Sequence, residues 1–203
     1  TPAAITDEFA PDLEAAARAM KSAGLETAEL RVLWGTNILD LADADLDRAE
    51  GILSAAGLKV ISIASPLFKC VLPGGEALDS RFERDVFGAA HTYEDQPRLL
   101  ERAFRVAHRF NARVIRIFSF WRTVDPAKCF DPIAAALDDA VQRAAREDLV
   151  LGIENEHACN AGTGEETAAL MRAVNHPNLK VVWDPANAYV AGETPFPDGY
   201  RKL

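Results

Sequence analysis

The segment from Leu149 to His157 carries two carboxylates at the end of an apolar run. Strand periodicity puts Glu154 and Glu156 on the same face as Val150 and Gly152. Burying a charged carboxylate is costly unless it is paired or bound to a metal. The segment therefore indicates a site in which these carboxylates either meet positive side chains or bind a cation.

A second apolar run, from Val181 to Asn187, delivers Asp184 in the same way. Neighbouring strands lie ~4.8 Å apart, so Glu154 and Asp184 can both reach one cation. Oxygen ligands, with room for one imidazole, suit Mn²⁺, Mg²⁺ or Co²⁺, and Zn²⁺ is a further candidate. The alternative interpretation is that either carboxylate caps a helix or pairs with an arginine.

Short apolar segments alternate along the chain with longer amphipathic segments, and these elements position the residues named above. Strands are predicted at about 5–9, 27–33, 59–65, 114–120, 149–156 and 180–184. Helices are predicted at about 11–23, 45–56, 97–110, 132–146 and 163–174. Six strands alternating with helices indicate an α/β fold with parallel strands and right-handed crossovers.

A barrel is favoured over an open doubly wound sheet. The first strand-to-helix turn, Glu8 to Pro11, lacks the glycines that cradle a dinucleotide. Successive strands instead turn polar at their carboxyl ends, where a barrel carries its chemistry. A (β/α)8 TIM barrel has eight units in ~250 residues. We therefore predict one domain over residues 1–203 that lacks the last two βα units, with exposed edge strands that favour self-association as a homo-oligomer.

Two motifs resemble the xylose isomerase-like TIM barrels, the sugar phosphate isomerase/epimerase group. They are Ile153-Glu154-Asn155 and Trp183-Asp184-Pro185-Ala186-Asn187, and the segments Glu29-x-Arg31 and Ile115-Arg116-Ile117-Phe118 fit the same pattern. In that family, Glu, Asp, His and Glu from strands five to eight hold a divalent metal. The resemblance implies that Glu154 is the first ligand and Asp184 the second, whereas the His and the final Glu have no counterpart in this sequence.

The resemblance implies a metal-dependent isomerase or epimerase acting on a sugar, sugar phosphate or related polyol ketone. A proton next to a carbonyl would leave through a metal-stabilised enediolate, with Glu154 as catalytic acid/base. Epimerisation needs bases on two faces, so without the final Glu we expect none. The alternative is an incomplete barrel that binds a sugar without catalysis. The same barrel also serves apurinic-site endonucleases, but Asn187 stands where those enzymes have His.

Further polar residues are candidates for substrate binding. They are Glu156, Asn160, Asn187, Arg31, Glu29, Arg116 and Lys69. Equally open are an ion pair between Arg31 and Glu29, an orienting role for Glu156, and an ordinary loop position for Lys69. His157 has the opposite strand parity to Glu154, which predicts packing against a helix.

Composition narrows the classes of partner. The chain has 22 Lys and Arg against 31 Asp and Glu, a net charge of −9, which argues against nucleic acid. No run approaches the ~20 apolar residues of a membrane helix, and no signal peptide is visible. Three widely spaced cysteines do not form a disulfide framework, so a cytoplasmic location is expected. The long irregular segment from Pro66 to Asp95 is predicted to be a lid.

Overall fold

The computed structural model describes residues 2–84 and 90–203. The strands are β1 (Ala3–Ile5), β2 (Thr27–Leu30), β3 (Val32–Leu33), β4 (Thr36–Asn37), β5 (Lys59–Leu67), β6 (Val114–Ile117), β7 (Val150–Glu154) and β8 (Leu179–Val182). The α-helices are α1 (Leu13–Ser22), α2 (Asp43–Ala56), α3 (Gln96–Arg109), α4 (Phe130–Arg146), α5 (Gly164–Val174) and α6 (Pro185–Val190). The α/β fold predicted from the alternating pattern is confirmed.

The main sheet has six strands in the order β1-β2-β5-β6-β7-β8, which is also their order along the chain. The parallel pairing aligns Ile5 with Glu29 in the first two strands and Glu154 with Val182 in the last two. β7 and β8 are thus the fifth and sixth parallel strands. Among the described residues, β8 pairs with a strand on one side only, in agreement with the predicted edge. Self-association through that edge stays a prediction.

Five of the six predicted strands end earlier than their apolar pattern predicts, all except β5, and two of them show why. The predicted strand 27–33 breaks at Arg31, and the chain then forms the antiparallel hairpin β3–β4. Its two-residue turn, Trp34 and Gly35, has φ values of 51° and 80°, the left-handed geometry that suits a tight hairpin. Likewise β7 ends at Glu154, because the backbone N–H of Glu156 turns to donate to the Ala161 carbonyl at 3.0 Å.

The described chain falls into two compact units, each considered by itself. The first comprises residues 2–65, 90 and 101–115, and the second 66–84, 91–100 and 116–203. In the first, α1 begins where the Asp12 side chain accepts from the Ala15 N–H at 2.9 Å, and the helix buries Leu13 and Met20. In the second, α4 and β7 bury apolar side chains such as Leu137 and Ile153. None of the described helices is both long and apolar enough to span a membrane.

The segment predicted to be a lid is partly packed. Residues 85–89 of it lie outside the described residues. Cys70, Leu72 and Asp79 are buried, and the Asp79 N–H donates to the Arg122 carbonyl at 2.9 Å. The segment is therefore anchored in the second unit through these buried residues, and its role as a lid stays a prediction.

The N-terminus of α5 is tied to the loop that follows β7. Thr163 caps the helix and forms a capping box with Glu166. The Glu166 carboxylate also accepts from the Gly162 N–H at 2.8 Å and pairs with Arg122 at 2.7 Å. Burial alone raises the pKa of Glu166, but the hydrogen bonds from Arg122, Gly162 and Thr163 hold it below its usual range.

Replacing Glu166 with Gln is expected to lower the free energy of unfolding at neutral pH by about 1–3 kcal/mol, because hydrogen bonds to a charged group are lost. A carboxylate whose pKa is lower in the folded state stabilises the fold above its ordinary pKa of 4.5. That contribution disappears as the pH falls through the lowered value, so the variant should lose less stability in acid. Denaturant unfolding from pH 2 to pH 7 measures this. Glu165→Gln, at a neighbouring exposed position, is the control. Equal pH profiles for the two variants would contradict the prediction.

Candidate functional site

Strand β7 delivers three consecutive polar residues to its carboxyl end. Glu154 closes the strand, and Asn155 and Glu156 follow it. All three are buried, with exposures of 8%, 0% and 7%. Buried polar and charged groups need partners, so their contacts define what the site can do.

Each glutamate meets a buried cation. Arg116 Nη1 lies 3.0 Å from Glu154 Oε2, and Lys69 Nζ lies 3.1 Å from Glu156 Oε2. The Lys69 side chain is only 1% exposed. The Phe118 ring lies near both cations, with its centroid 4.6 Å from Lys69 Nζ and 4.8 Å from Arg116 Cζ. The two cations that pair with the glutamates therefore also contact the same buried ring.

Lys69 and Arg116, predicted to bind substrate, are thus placed beside the two glutamates. The buried ion pair of Lys69 differs from the ordinary loop position considered for it from the sequence. A substrate role for either cation stays a prediction. The interpretation that Glu154 pairs with an arginine is confirmed as a contact.

The Glu154 carboxylate is buried among charged side chains of both signs. Burial raises its pKa above the usual range; Arg116 opposes this shift, Glu156 and Asp184 add to it, and Lys69 opposes it. Three carboxylates therefore act around two cationic side chains. A group in this position gains from an additional cation nearby.

Asp184 approaches this region from β8. Glu154 is aligned with Val182, and Asp184 comes two residues later, so strand periodicity puts it on the side of Glu154. Asp184 Oδ1 accepts from the Asn187 N–H at 2.9 Å and caps α6. The helix-capping interpretation is therefore also confirmed as a contact, and it uses one of the two carboxylate oxygens.

A divalent cation fits part of this donor set. Across residues 2–84 and 90–203, no three His, Cys, Asp or Glu side chains come together as metal ligands. Glu154 and Asp184 supply hard oxygen donors, which suit Mg²⁺ or Mn²⁺. Burial is the main cause of the raised Glu154 pKa, and the neighbouring Glu156 and Asp184 carboxylates add to it. The residues thus fit a cation held by two carboxylates, with water for the other positions.

Asn155 was not singled out from the sequence, although it follows Glu154 directly. Its Nδ2 donates to the Asp184 carbonyl at 2.7 Å and to the Gly162 carbonyl at 3.3 Å. Its Oδ1 accepts from the Asp184 N–H at 2.7 Å. A polar amide at the end of a buried strand was the available signal.

His157 contacts α6, in line with its strand parity, and also reaches Glu156. Its Nδ1 lies 2.6 Å from Asn187 Oδ1 and 3.0 Å from Glu156 Oε1. A carboxylate oxygen only accepts hydrogen bonds, so Nδ1 must carry the proton. In that tautomer Nε2 carries a lone pair and can accept a hydrogen bond from a hydroxyl group.

The Asn160 amide is engaged inside the protein. Its Nδ2 donates to the Ser119 and Trp121 carbonyls at 3.1 and 3.0 Å, and its Oδ1 accepts from the Thr123 N–H at 3.0 Å. These bonds join the loops after β6 and β7. A substrate contact from this residue stays a prediction.

Arg31 and Glu29 belong to the first unit. Arg31 Nη2 lies 2.8 Å from Asp7 Oδ2 and 3.3 Å from Glu8 Oε1. Asp7 Oδ1 also accepts from the Val32 N–H at 3.2 Å. The two acidic residues that follow β1, Asp7 and Glu8, therefore supply ion-pair partners of Arg31.

Comparison with known proteins shows the family to which the chain belongs. The family model described as xylose isomerase-like TIM barrel matches residues 17–201. The chain belongs to this family. A search of curated proteins gives no match.

Three solved structures illustrate the similarity. A probable 3-DHS dehydratase, AsbF, from Bacillus anthracis has a TM-score of 0.69 and 18% identity, covering 99% of this chain and 68% of that one. D-psicose 3-epimerase, solved in the presence of D-fructose, has a TM-score of 0.69 and 16% identity, covering 100% and 69%. A xylose isomerase-like TIM barrel protein from Mycobacterium smegmatis in complex with magnesium has a TM-score of 0.64 and 14% identity, covering 91% and 64%.

At sequence identities this low, the structural similarity establishes the fold alone. The chain spans about two thirds of the length of these solved proteins, 68%, 69% and 64% respectively. The fold neighbours include a dehydratase and an epimerase, and one was solved with a sugar and another with a metal ion. What this chain itself binds and does has to be argued from its own residues.

Proposed function

We propose that the chain carries the proton-transfer half-site of a divalent-metal-dependent isomerase or epimerase. Its substrate is a sugar, a sugar phosphate or a related polyol ketone. The observation that carries the proposal is the buried Glu154 carboxylate, whose pKa is raised beside Asp184 and Glu156. A buried carboxylate with a raised pKa at the carboxyl end of a barrel strand is a candidate for catalysis.

Glu154 and Asp184 are the residues that would hold the cation. When bound, Mn²⁺ or Mg²⁺ stabilises negative charge that develops on a substrate oxygen as a neighbouring proton leaves. The magnesium complex of a fold neighbour supports this choice of cofactor. In this chain, the two-carboxylate donor set and the local excess of negative charge support it.

Glu154 is the group that moves the proton. Burial raises its pKa above the usual range of a carboxyl group, the direction that suits a group which both accepts and returns a proton. Arg116 donates to Oε2 and holds the side chain in one orientation. Lys69 pairs with Glu156, so the negative charge of the Glu156 carboxylate is compensated beside Glu154.

Polar groups at the ends of β7 and β8 would bind the hydroxyls of the substrate. His157 Nε2 can accept a hydroxyl hydrogen bond once Nδ1 is committed to Glu156 and Asn187. D-psicose 3-epimerase, a protein of the same fold, was solved with D-fructose. A ketose is therefore the first substrate class to test.

The test is proton exchange in heavy water. With Mn²⁺ and D-fructose as the probe, the chain should introduce deuterium at a carbon next to the carbonyl, as followed by NMR. Exchange needs one proton-transfer group, whereas inversion needs one on each face, so exchange is the less demanding readout. Glu154→Gln should abolish it, and Glu165→Gln, at an exposed site, should not. Exchange that is absent from the wild type, or equal in Glu154→Gln, would overturn the proposal and favour a sugar-binding protein without catalysis.

A further inference from the structure

The pairing of β7 with β8 ends before it reaches Asp184. The last aligned residues are Glu154 and Val182. Beyond them the β7 chain turns away, since the Glu156 N–H donates to the Ala161 carbonyl. The backbone of Asp184 would therefore lose its neighbour at the point where its carboxylate is needed.

The Asn155 side chain replaces that missing backbone. Its amide donates to the Asp184 carbonyl and accepts from the Asp184 N–H, both at 2.7 Å, which supplies the two bonds that the backbone of a neighbouring strand would otherwise make. The side chain is fully buried, and Nδ2 also donates to the Gly162 carbonyl. Both backbone groups of Asp184 are thus held by one rigid amide.

We propose that Asn155 is a positioning residue for the metal site, which it serves by fixing Asp184 beside Glu154. The inference rests on the proposed function, because it assigns Asp184 to the cation. Asn155 holds the backbone of Asp184, and the Asn187 N–H engages its Oδ1, so both the backbone and the carboxylate are restrained. Without Asn155 the backbone around Asp184 gains conformational freedom. Binding of the ion then has to order this backbone, which weakens the binding.

A matched control exists in the same pair of strands. Asn178 Nδ2 donates to the Leu149 carbonyl at 2.8 Å, which ties β8 to β7 at the opposite end from the carboxylates. Asn178→Ala therefore removes the same kind of bond without touching the site. It separates a loss of positioning from a general weakening of the strand pair.

Calorimetric titration with Mn²⁺ on the full chain tests the inference. Asn155→Ala should weaken Mn²⁺ binding about 10-fold or more, the usual effect of removing a group that orients a ligand, and Asn178→Ala should leave it unchanged. Unfolding of each variant gives the stability loss for comparison. Equal Mn²⁺ affinity in wild type and Asn155→Ala, or equal weakening in both variants, would overturn the inference.

Amide hydrogen exchange on the wild type keeps the test decisive if Asn155→Ala does not fold. The Asp184 N–H lies beyond the strand pairing and should still be protected, because Asn155 accepts from it. Exchange as fast as at exposed Ala186 would overturn the inference. A protected Asp184 amide in a chain that binds no Mn²⁺ would refute the proposed function and the role of Asn155 in metal binding. The hydrogen bonds from Asn155 to the Asp184 backbone would still be established.

Discussion

Replacement of Lys69 with Met is expected to destabilise the fold by about 3–5 kcal/mol, one of the largest effects available in this chain. The Lys69 ammonium is paired with Glu156 at 3.1 Å, and the two side chains are 1% and 9% exposed. Removing the cation leaves a buried carboxylate without its counter-charge. The lost contacts with the Phe118 and Trp121 rings add to the cost.

Two further variants separate burial of charge from loss of packing. Lys69→Met combined with Glu156→Gln removes both charges and should recover most of the stability, since a buried pair is often close to neutral overall. Lys128→Met is the control, because Lys128 pairs with Glu76 at the surface with 63% and 37% exposure. That variant should change stability by no more than ~0.5 kcal/mol. Equal losses in Lys69→Met and Lys128→Met, measured by denaturant unfolding, would mean that the Lys69 pair is effectively solvated.

The placement of Glu154 and Asp184 could be predicted because it follows from local rules. Parallel strands bring their carboxyl ends to one edge, and period-2 alternation decides which side chains share a face. The alignment of Glu154 with Val182 agrees with that reasoning. The fold class and the order of the six strands followed from the same alternation of apolar segments and helices.

The partners of these residues could not be predicted in the same way. Lys69 lies 87 positions before Glu156, so nothing local to either residue indicates the ion pair. Asn155 acts through its side chain as a substitute for backbone, which no periodicity of apolar residues records. The hairpin after Arg31 depends on a turn in which Trp34 adopts a positive φ, an uncommon state for a bulky residue.

The metal site itself gives the second large expected effect. Glu154→Gln and Asp184→Asn should each abolish the binding of Mn²⁺ or Mg²⁺, since each removes one of the two carboxylates assigned to the ion. Binding by the unaltered chain should be weak, because no third His, Cys, Asp or Glu of the described residues joins them and water must complete the coordination. Isosteric changes are used so that Arg116 keeps a hydrogen-bond acceptor at position 154 and the fold is preserved.

Titration calorimetry on the wild type and the two variants measures this directly. Glu165→Gln removes the same charge at an exposed position on α5 and should leave the affinity unchanged. A uniform weakening in all three variants would indicate a diffuse effect of net charge. Unchanged affinity in Glu154→Gln and Asp184→Asn would mean that Glu154 serves only as the partner of Arg116 and Asp184 only as the cap of α6, and proton transfer at Glu154 would have no cation to support it.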